Sequence, residues 1–138
     1  MSNTFSFKSF LKQKGMKSVP IRPTVYIAGP FAGNVEENTE NAVIVGNIAH
    51  KNGFGSIVPH TMILHEVYGK DEVPEEREDG CISTLSIIAQ LAKLQDTQLW
   101  IIKREDGSLS TGTQSELDLW IAVREDLGYP FNVFQKTL

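Results

Sequence analysis

Two short segments of this chain hold residue types from which a reactive centre can be built. One is Ser110-Thr111-Gly112-Thr113-Gln114-Ser115-Glu116, and the other is Tyr26-Ile27-Ala28-Gly29-Pro30-Phe31-Ala32-Gly33-Asn34. Each leads from an apolar run through a polar, glycine-bearing turn into a helical pattern. Where two such turns meet along one edge of a parallel sheet, backbone N–H groups and helix N-termini face one crevice, which suits an anionic ligand. Ser110, Thr111 and Gly112 then offer hydroxyls, amides and open space to a phosphate. Gly29, Pro30 and Phe31 form the opposite lip. Glu116 sits at the mouth, and a carboxylate there can attack the anomeric carbon of a sugar and hold it as an ester. Spacing alone leaves a second role open for Glu116, because Thr113-Gln114-Ser115-Glu116 also reads as a capping box.

Two further side chains belong with these. Tyr26 lies in the apolar run before Gly29, where its hydroxyl can either be satisfied in the core or orient a carboxylate in the crevice. His60 follows Pro59 at the carboxyl end of a second apolar run, the edge at which open α/β sheets bind ligands. There a histidine can contact a phosphate or base, or move a proton. Lys103 and Arg104 can add positive potential nearby, as can Arg22. Asp96 reads as a turn or cap residue and Asp118 as solvent-facing. Gly29 and Gly33 flank Pro30 and do not form the G-x-G-x-x-G dinucleotide fingerprint. No pair of histidines has helical ligand spacing, so a metal site is not expected.

The elements that must position these residues follow from periodicity. Thr24–Ala28 reads as a buried strand ending at Gly29-Pro30. Asn34 caps a helix whose apolar positions are Val35, Ala42, Val45 and Ala49, with Ile44 and Ile48 widening the face, and Gly53 ends it. Residues 56–59 form a short second strand. His65–Gly69 reads as a helical turn and Lys70–Gly80, charged and carrying Pro74, as a loop. Helical spacing returns from Ile82 to Gln95, and Gln98–Ile102 is a third strand. A helix runs from about Gln114 to Gly128 with Leu117, Trp120 and Ile121 inward, and residues 131–134 form a last strand. This βαβαβαβ order predicts a three-layer α/β sandwich on a mostly parallel sheet of four or five strands, flavodoxin- or Rossmann-like.

At 138 residues the chain is long enough for one self-sufficient core, and 41% hydrophobic and 22% charged residues are ordinary globular usage. We divide it into an extension, residues 1–22, and a domain, residues 23–138. In the extension Phe5, Phe7, Phe10 and Leu11 alternate with Lys8, Lys12, Lys14 and Lys17, a pattern expected to pack on the domain or on a neighbouring subunit. A net charge of −4 gives no basis for binding a nucleic-acid polymer but allows a small phosphorylated ligand. The single cysteine, Cys81, and the lack of an apolar run of membrane-spanning length predict a reduced, cytoplasmic setting without membrane attachment.

Taken together, Val25-Tyr26-Ile27-Ala28-Gly29-Pro30, Asn41-Ala42, Val58-Pro59-His60 and Ser110-Thr111-Gly112-Thr113-Gln114-Ser115-Glu116-Leu117 resemble the nucleoside 2-deoxyribosyltransferase-like superfamily. That group contains nucleoside deoxyribosyltransferases and N-glycosidases of nucleoside 5′-monophosphates. The resemblance implies that Glu116 is the nucleophile, that Tyr26 contacts the catalytic centre, that Ser110 and Gly112 hold a 5′-phosphate, and that His60 lies on the ligand side. It implies cleavage of a C1′–N bond with retention, without a cofactor, on a small nucleoside or nucleotide, in a homodimer or higher homo-oligomer. Two positions depart from the pattern. The acid usual on the helix before the third strand is missing from Ser86-Ile87-Ile88-Ala89-Gln90, with Glu66 or Asp71 as possible substitutes. Pro30 stands where the hydrolase branch often has serine. The missing acid keeps a second expectation open, a non-catalytic nucleotide-binding or sensing module on the same fold.

Overall fold

A computed structural model describes residues 6–62 and 74–137. The elements are α1 (Phe7–Lys14), β1 (Thr24–Ala28), α2 (Val35–Lys51), β2 (Gly55–Ile57), α3 (Pro59–Met62), α4 (Pro74–Ala92), β3 (Gln98–Lys103), α5 (Thr111–Leu127) and β4 (Val133–Thr137). The four strands form one sheet in the order β2-β1-β3-β4, and every pairing is parallel. The chain steps from β1 to β2 in one direction and then crosses back to β3 on the other side of β1. Strand order therefore reverses between β1 and β3, and a crevice opens at their carboxyl ends.

Alternation along the strands divides the core into two layers. Tyr26 and Ala28 of β1 and Leu99 and Ile101 of β3 face α4 and α5, where Ile88, Ala92, Leu117 and Trp120 meet them. Val25, Ile27 and Ile102 point the other way, against Ala42, Val45 and Ala49 of α2. This is the expected three-layer sandwich. Gly46 lets α2 approach β2 closely, since a Cβ there would stand 2.6 Å from Val58 Cγ2.

Several boundaries differ from expectation for identifiable reasons. The charged stretch read as a loop to Gly80 is helical from Pro74, because proline at a first helical position loses no hydrogen bond and fixes a helical φ. The expected turn at His65–Gly69 and residues 70–73 lie outside the described residues. The second strand stops at Ile57, and Pro59 opens α3. The last strand starts at Val133, because Asn132 adopts a left-handed φ of 52°. Ile44 and Ile48 do not widen the buried face of α2: they are 51% and 37% exposed. The extension contains a capped helix, α1, with Ser6 at its N-cap and Gly15 at its C-cap, and none of its residues is buried.

One side chain ties the α4/α5 layer to the sheet. Arg124 of α5 is fully buried, and its guanidinium donates to the carbonyls of Pro130 (2.6 Å), Leu94 (2.7 Å), Gln95 (2.8 Å) and Ala92 (3.2 Å). These acceptors belong to the segments that end α4 and precede β3 and β4. Trp120 and Tyr129 lie against the guanidinium, with ring centroids 5.2 and 5.4 Å from Cζ. Lysine has the charge but not the planar fork that reaches several carbonyls at once. Arg124→Lys should therefore lose about 2–4 kcal/mol in urea unfolding, the scale for orphaned buried partners of a charge. A variant within about 0.5 kcal/mol of the parent would show that the tie is dispensable.

Candidate active site

The crevice at the β1/β3 switch point is a cavity of about 330 Å³. Its walls include Gly29, Phe31 and Ala32 after β1, Cys81, Thr84 and Leu85 on α4, Arg104 after β3, and Ser110 to Thr113 with Ser115 and Glu116 at the start of α5. The β3–α5 connection is held by its own hydrogen bonds. Arg104 N–H donates to Ser108 O at 3.0 Å, and Asp106 Oδ1 accepts from Ser108 N–H at 2.9 Å. This places Ser110 as the N-cap of α5, its hydroxyl accepting from Thr113 N–H at 3.2 Å.

That cap removes one of the two roles open to Glu116. The helix begins at Thr111, so Glu116 lies in its second turn and takes no part in a capping box. It occupies the inward stripe Thr113, Glu116, Leu117, Trp120, Arg124, all buried. Only 8% of Glu116 is exposed, and its Oε2 has no hydrogen-bond partner. Burial raises its carboxyl from the ordinary range to about 7, and the neighbouring Tyr26 hydroxyl holds back part of that rise.

Tyr26 lies behind Glu116, in the core and not in the cavity wall. It is wholly buried, with the Glu116 carboxyl and Thr84 as neighbours of its hydroxyl. Burial first, and then the adjacent carboxyl, push its pKa up, so the phenol keeps its proton across the working range. Its hydroxyl neighbours the Glu116 carboxyl, yet neither Tyr26 Oη nor Glu116 Oε2 has a hydrogen-bond partner. Buried polar atoms without partners are uncommon in folded proteins and call for an explanation. Three of the four among the described residues belong to residues singled out from sequence: Tyr26 Oη, Glu116 Oε2 and His60 Nδ1.

Gly29, Phe31, Ser110, Thr111, Gly112 and Glu116 thus converge on one cavity. Pro30, His60 and Tyr26 do not line it. His60 is buried on α3 with its Nε2 2.9 Å from Pro30 O, and its ring packs on Phe31 at 5.8 Å. The carbonyl can only accept, so Nε2 carries the proton. Burial pushes the pKa down and keeps the ring neutral, although the backbone contacts at Pro30 and Gly29 oppose this. His60 therefore props the first lip of the cavity. Pro30, with Asn38, Asn41, Lys103 and Arg104, lines a second, more polar hollow of about 210 Å³ on the far side of that lip. The two glycines serve different ends. A Cβ at Gly29 would come 3.1 Å from Ile102 Cβ, which lets the lip settle on β3, whereas a Cβ at Gly112 would meet nothing within 4 Å.

Sequence reasoning missed the α4 wall. Cys81, Thr84 and Leu85 stand at i, i+3 and i+4, the spacing of one helix face, but that pattern carries no mark of a cavity. Arg104 was visible only as a charge beside a strand. Glu66 and Asp71, the substitutes offered for the missing acid, lie outside the described residues. Among those described, no three His, Cys, Asp or Glu side chains gather as a metal-binding set, and no helix is long and apolar enough to cross a membrane.

Fold and cavity together define an α/β protein with a ligand-sized crevice at its topological switch point. The chain belongs to the family described as a domain of unknown function, DUF7768, whose pattern matches residues 23–127. The match runs from just before β1 to the end of α5 and takes in the whole cavity. No curated protein and no solved structure matches the chain.

The carboxyl of Glu116 makes folding pH-dependent. Below the usual glutamate value of 4.5 it is protonated in both folded and unfolded chains. As pH rises, the unfolded chain gives up its proton first while the folded one holds it to about 7, so stability falls across that window and levels off above it. Glu116→Gln, which keeps the shape and removes the charge, should abolish this decline and exceed the parent by up to about 3 kcal/mol above the window. Parallel stability–pH curves for the two proteins would contradict the assigned burial.

Proposed function

We propose that the protein cleaves the N-glycosidic bond of a nucleoside or nucleoside 5′-monophosphate. Glu116 in its ionised form attacks C1′. The C1′–N bond breaks, and the base leaves with the bonding electrons and takes up a proton. Water, or a second base, then attacks C1′ of the glycosyl–Glu116 ester, which frees the carboxylate and retains the anomeric configuration. Tyr26, protonated throughout, donates toward the carboxylate and positions it. Ser110, Thr111, Gly112 and Arg104 receive the anionic end of the ligand, and the Gly29–Phe31 lip, propped by His60, bears on its other side. The nucleoside 2-deoxyribosyltransferase-like superfamily is the relative this reading favours.

The observation that carries it is one carboxyl oxygen, buried without a partner, on the floor of a ligand-sized cavity whose rim is the N-terminus of a long helix. A structural glutamate would be paired or in solvent, and one kept in this state costs stability. One feature favours a non-catalytic nucleotide-binding module: Glu116 is the sole acid among the described residues lining the cavity, so no second acid stands ready to protonate a leaving base.

Chromatography of free base after incubation with nucleosides and their monophosphates separates the readings. The wild type should release base, and Glu116→Gln should be slower by at least about a hundredfold. Because the ionised carboxyl attacks, the rate should climb with pH up to about 7 and then level off. Calorimetric binding without base release selects the binding module, and equal rates in the two proteins remove Glu116 from the chemistry. Gly112→Ala adds a methyl that meets no protein atom, so its melting temperature should hold or rise slightly. Its affinity for a monophosphate should nevertheless fall by about tenfold or more, since the methyl occupies the space where an anion approaches the α5 amides.

A further inference from the structure

The cavity that holds Glu116 does not end at its lip. Ala32 and Arg104 wall it, and they also wall the polar hollow of about 210 Å³ on the far side. Pockets for small ligands measure about 300–1,000 Å³. The hollow alone falls below that range, but it adjoins a cavity of about 330 Å³ within it. Joined through shared walls, the two form one site with a main chamber and an annexe.

Two elements supply the annexe with polar groups. Glu37, Asn38 and Asn41 come from the first turns of α2, and i, i+4 and i, i+3 spacing sets Asn41 beside the other two. Lys103 ends β3, and Arg104 and Glu105 follow it. Two of these side chains are engaged within the chain. Asn38 Nδ2 donates to Phe31 O at 3.1 Å, which ties the lip to α2, and Glu37 Oε2 accepts from Asn34 Nδ2 at 2.8 Å. Asn41 and Lys103 are half-buried, and among the described residues neither side chain has a hydrogen bond or ion pair. An amide with both donors and an acceptor is therefore open to whatever enters the hollow. Charge in the annexe is mixed, with Lys103 and Arg104 against Glu37 and Glu105. A lengthening run of phosphates would meet those carboxylates, whereas hydroxyls can donate to a carboxylate and accept from an amide or an ammonium.

We infer that the annexe is a subsite for a hydroxyl-bearing group, a sugar or a second nucleoside, joined to the 5′-phosphate of the ligand through a pyrophosphate. This deepens the nucleotide reading of the main chamber and rests on it. Arg104, common to both hollows, takes the anionic link, a task suited to a planar guanidinium. Asn41 and the Glu37 carboxylate pair with the hydroxyls of the attached group, as an acidic side chain does with a ribose hydroxyl. The glycosidic bond under attack stays beside Glu116 on the other side of the lip. The preferred ligand is then an extended nucleotide and not a bare monophosphate.

Calorimetric binding to the full chain carrying Glu116→Gln, which holds ligands without turnover, tests this. The probes are series built on each of the four common ribonucleosides: the 5′-monophosphate, diphosphate and triphosphate, the diphosphate sugar and the 5′–5′ pyrophosphate dinucleotide. The diphosphate sugar or the dinucleotide should bind at least about tenfold tighter than the monophosphate, and whichever does so names the attached group. The triphosphate should bind no tighter than the diphosphate. Adding Asn41→Ala should weaken the extended ligand by about fivefold or more and leave the monophosphate unchanged, with circular dichroism and melting as in the parent. Glu37→Ala, at an exposed position, gives the same comparison should Asn41→Ala fail to fold. Monophosphate binding with no gain from either attached group overturns the subsite and leaves the nucleotide reading standing. So does a loss in both variants that the monophosphate shares equally. Absence of binding by every phosphorylated probe overturns both.

Discussion

The buried guanidinium of Arg124 is the constraint on which this architecture rests. α4 enters and leaves the Tyr26 face far in sequence from α5, and a parallel sheet offers no tight turn to hold the two together. Arg124 replaces such a turn with hydrogen bonds to carbonyls on both sides of the gap, between the aromatic faces of Trp120 and Tyr129. The carbonyls it satisfies end α4 and precede β3 and β4, so one side chain sets where the helix stops and where two strands begin. Four residues beyond the stripe that holds Arg124 and Trp120, toward the N-terminus, that same stripe carries Glu116. The depth of the carboxyl is thus set by the docking of the helix on which it rides.

That depth sets the chemistry available at the crevice. A carboxyl with nine-tenths of its surface covered and one oxygen without a partner is poised near neutrality, neither a strong acid nor an inert one. Tyr26 is a neighbour from which a proton can be directed at it, because alternation along β1 turns residue 26 toward α5 while residues 25 and 27 face α2. The proposed nucleophile and its positioning hydroxyl therefore come from adjacent layers, helix and sheet, and meet only because the helix packs across the strand. His60 acts at one remove: by holding the Pro30 carbonyl and packing on Phe31 it stiffens the lip and leaves the cavity itself to smaller groups.

Much of the fold was legible because its signals are local. Thr24–Ala28 is β-branched and aromatic, Asn34 is an N-cap with Glu three residues on, and Gly128 before Tyr129-Pro130 is a helix stop, and each performs that role. Misread boundaries came from signals of mixed sign. Charge around Pro74 outweighed proline's fitness for a first helical turn, and the left-handed Asn132 delayed the last strand by two residues. The capping-box reading of Glu116 failed for a similar reason. Both Ser110 and Thr113 can cap, and a window of seven residues holds nothing that selects between them; the β3–α5 connection, braced at Asp106 and Ser108, does.

From the residues alone came the alternation of strands and helices, the two polar turns, and the glutamate and tyrosine as the pair of interest, since each depends on side-chain type, local spacing or both. Two matters waited for the tertiary structure. They are the burial that raises the Glu116 carboxyl and the retirement of His60 from the cavity to its support. Burial is a property of what other segments place around a residue, and those segments, α4 above all, approach from more than twenty residues away with no pairing signal in their own composition.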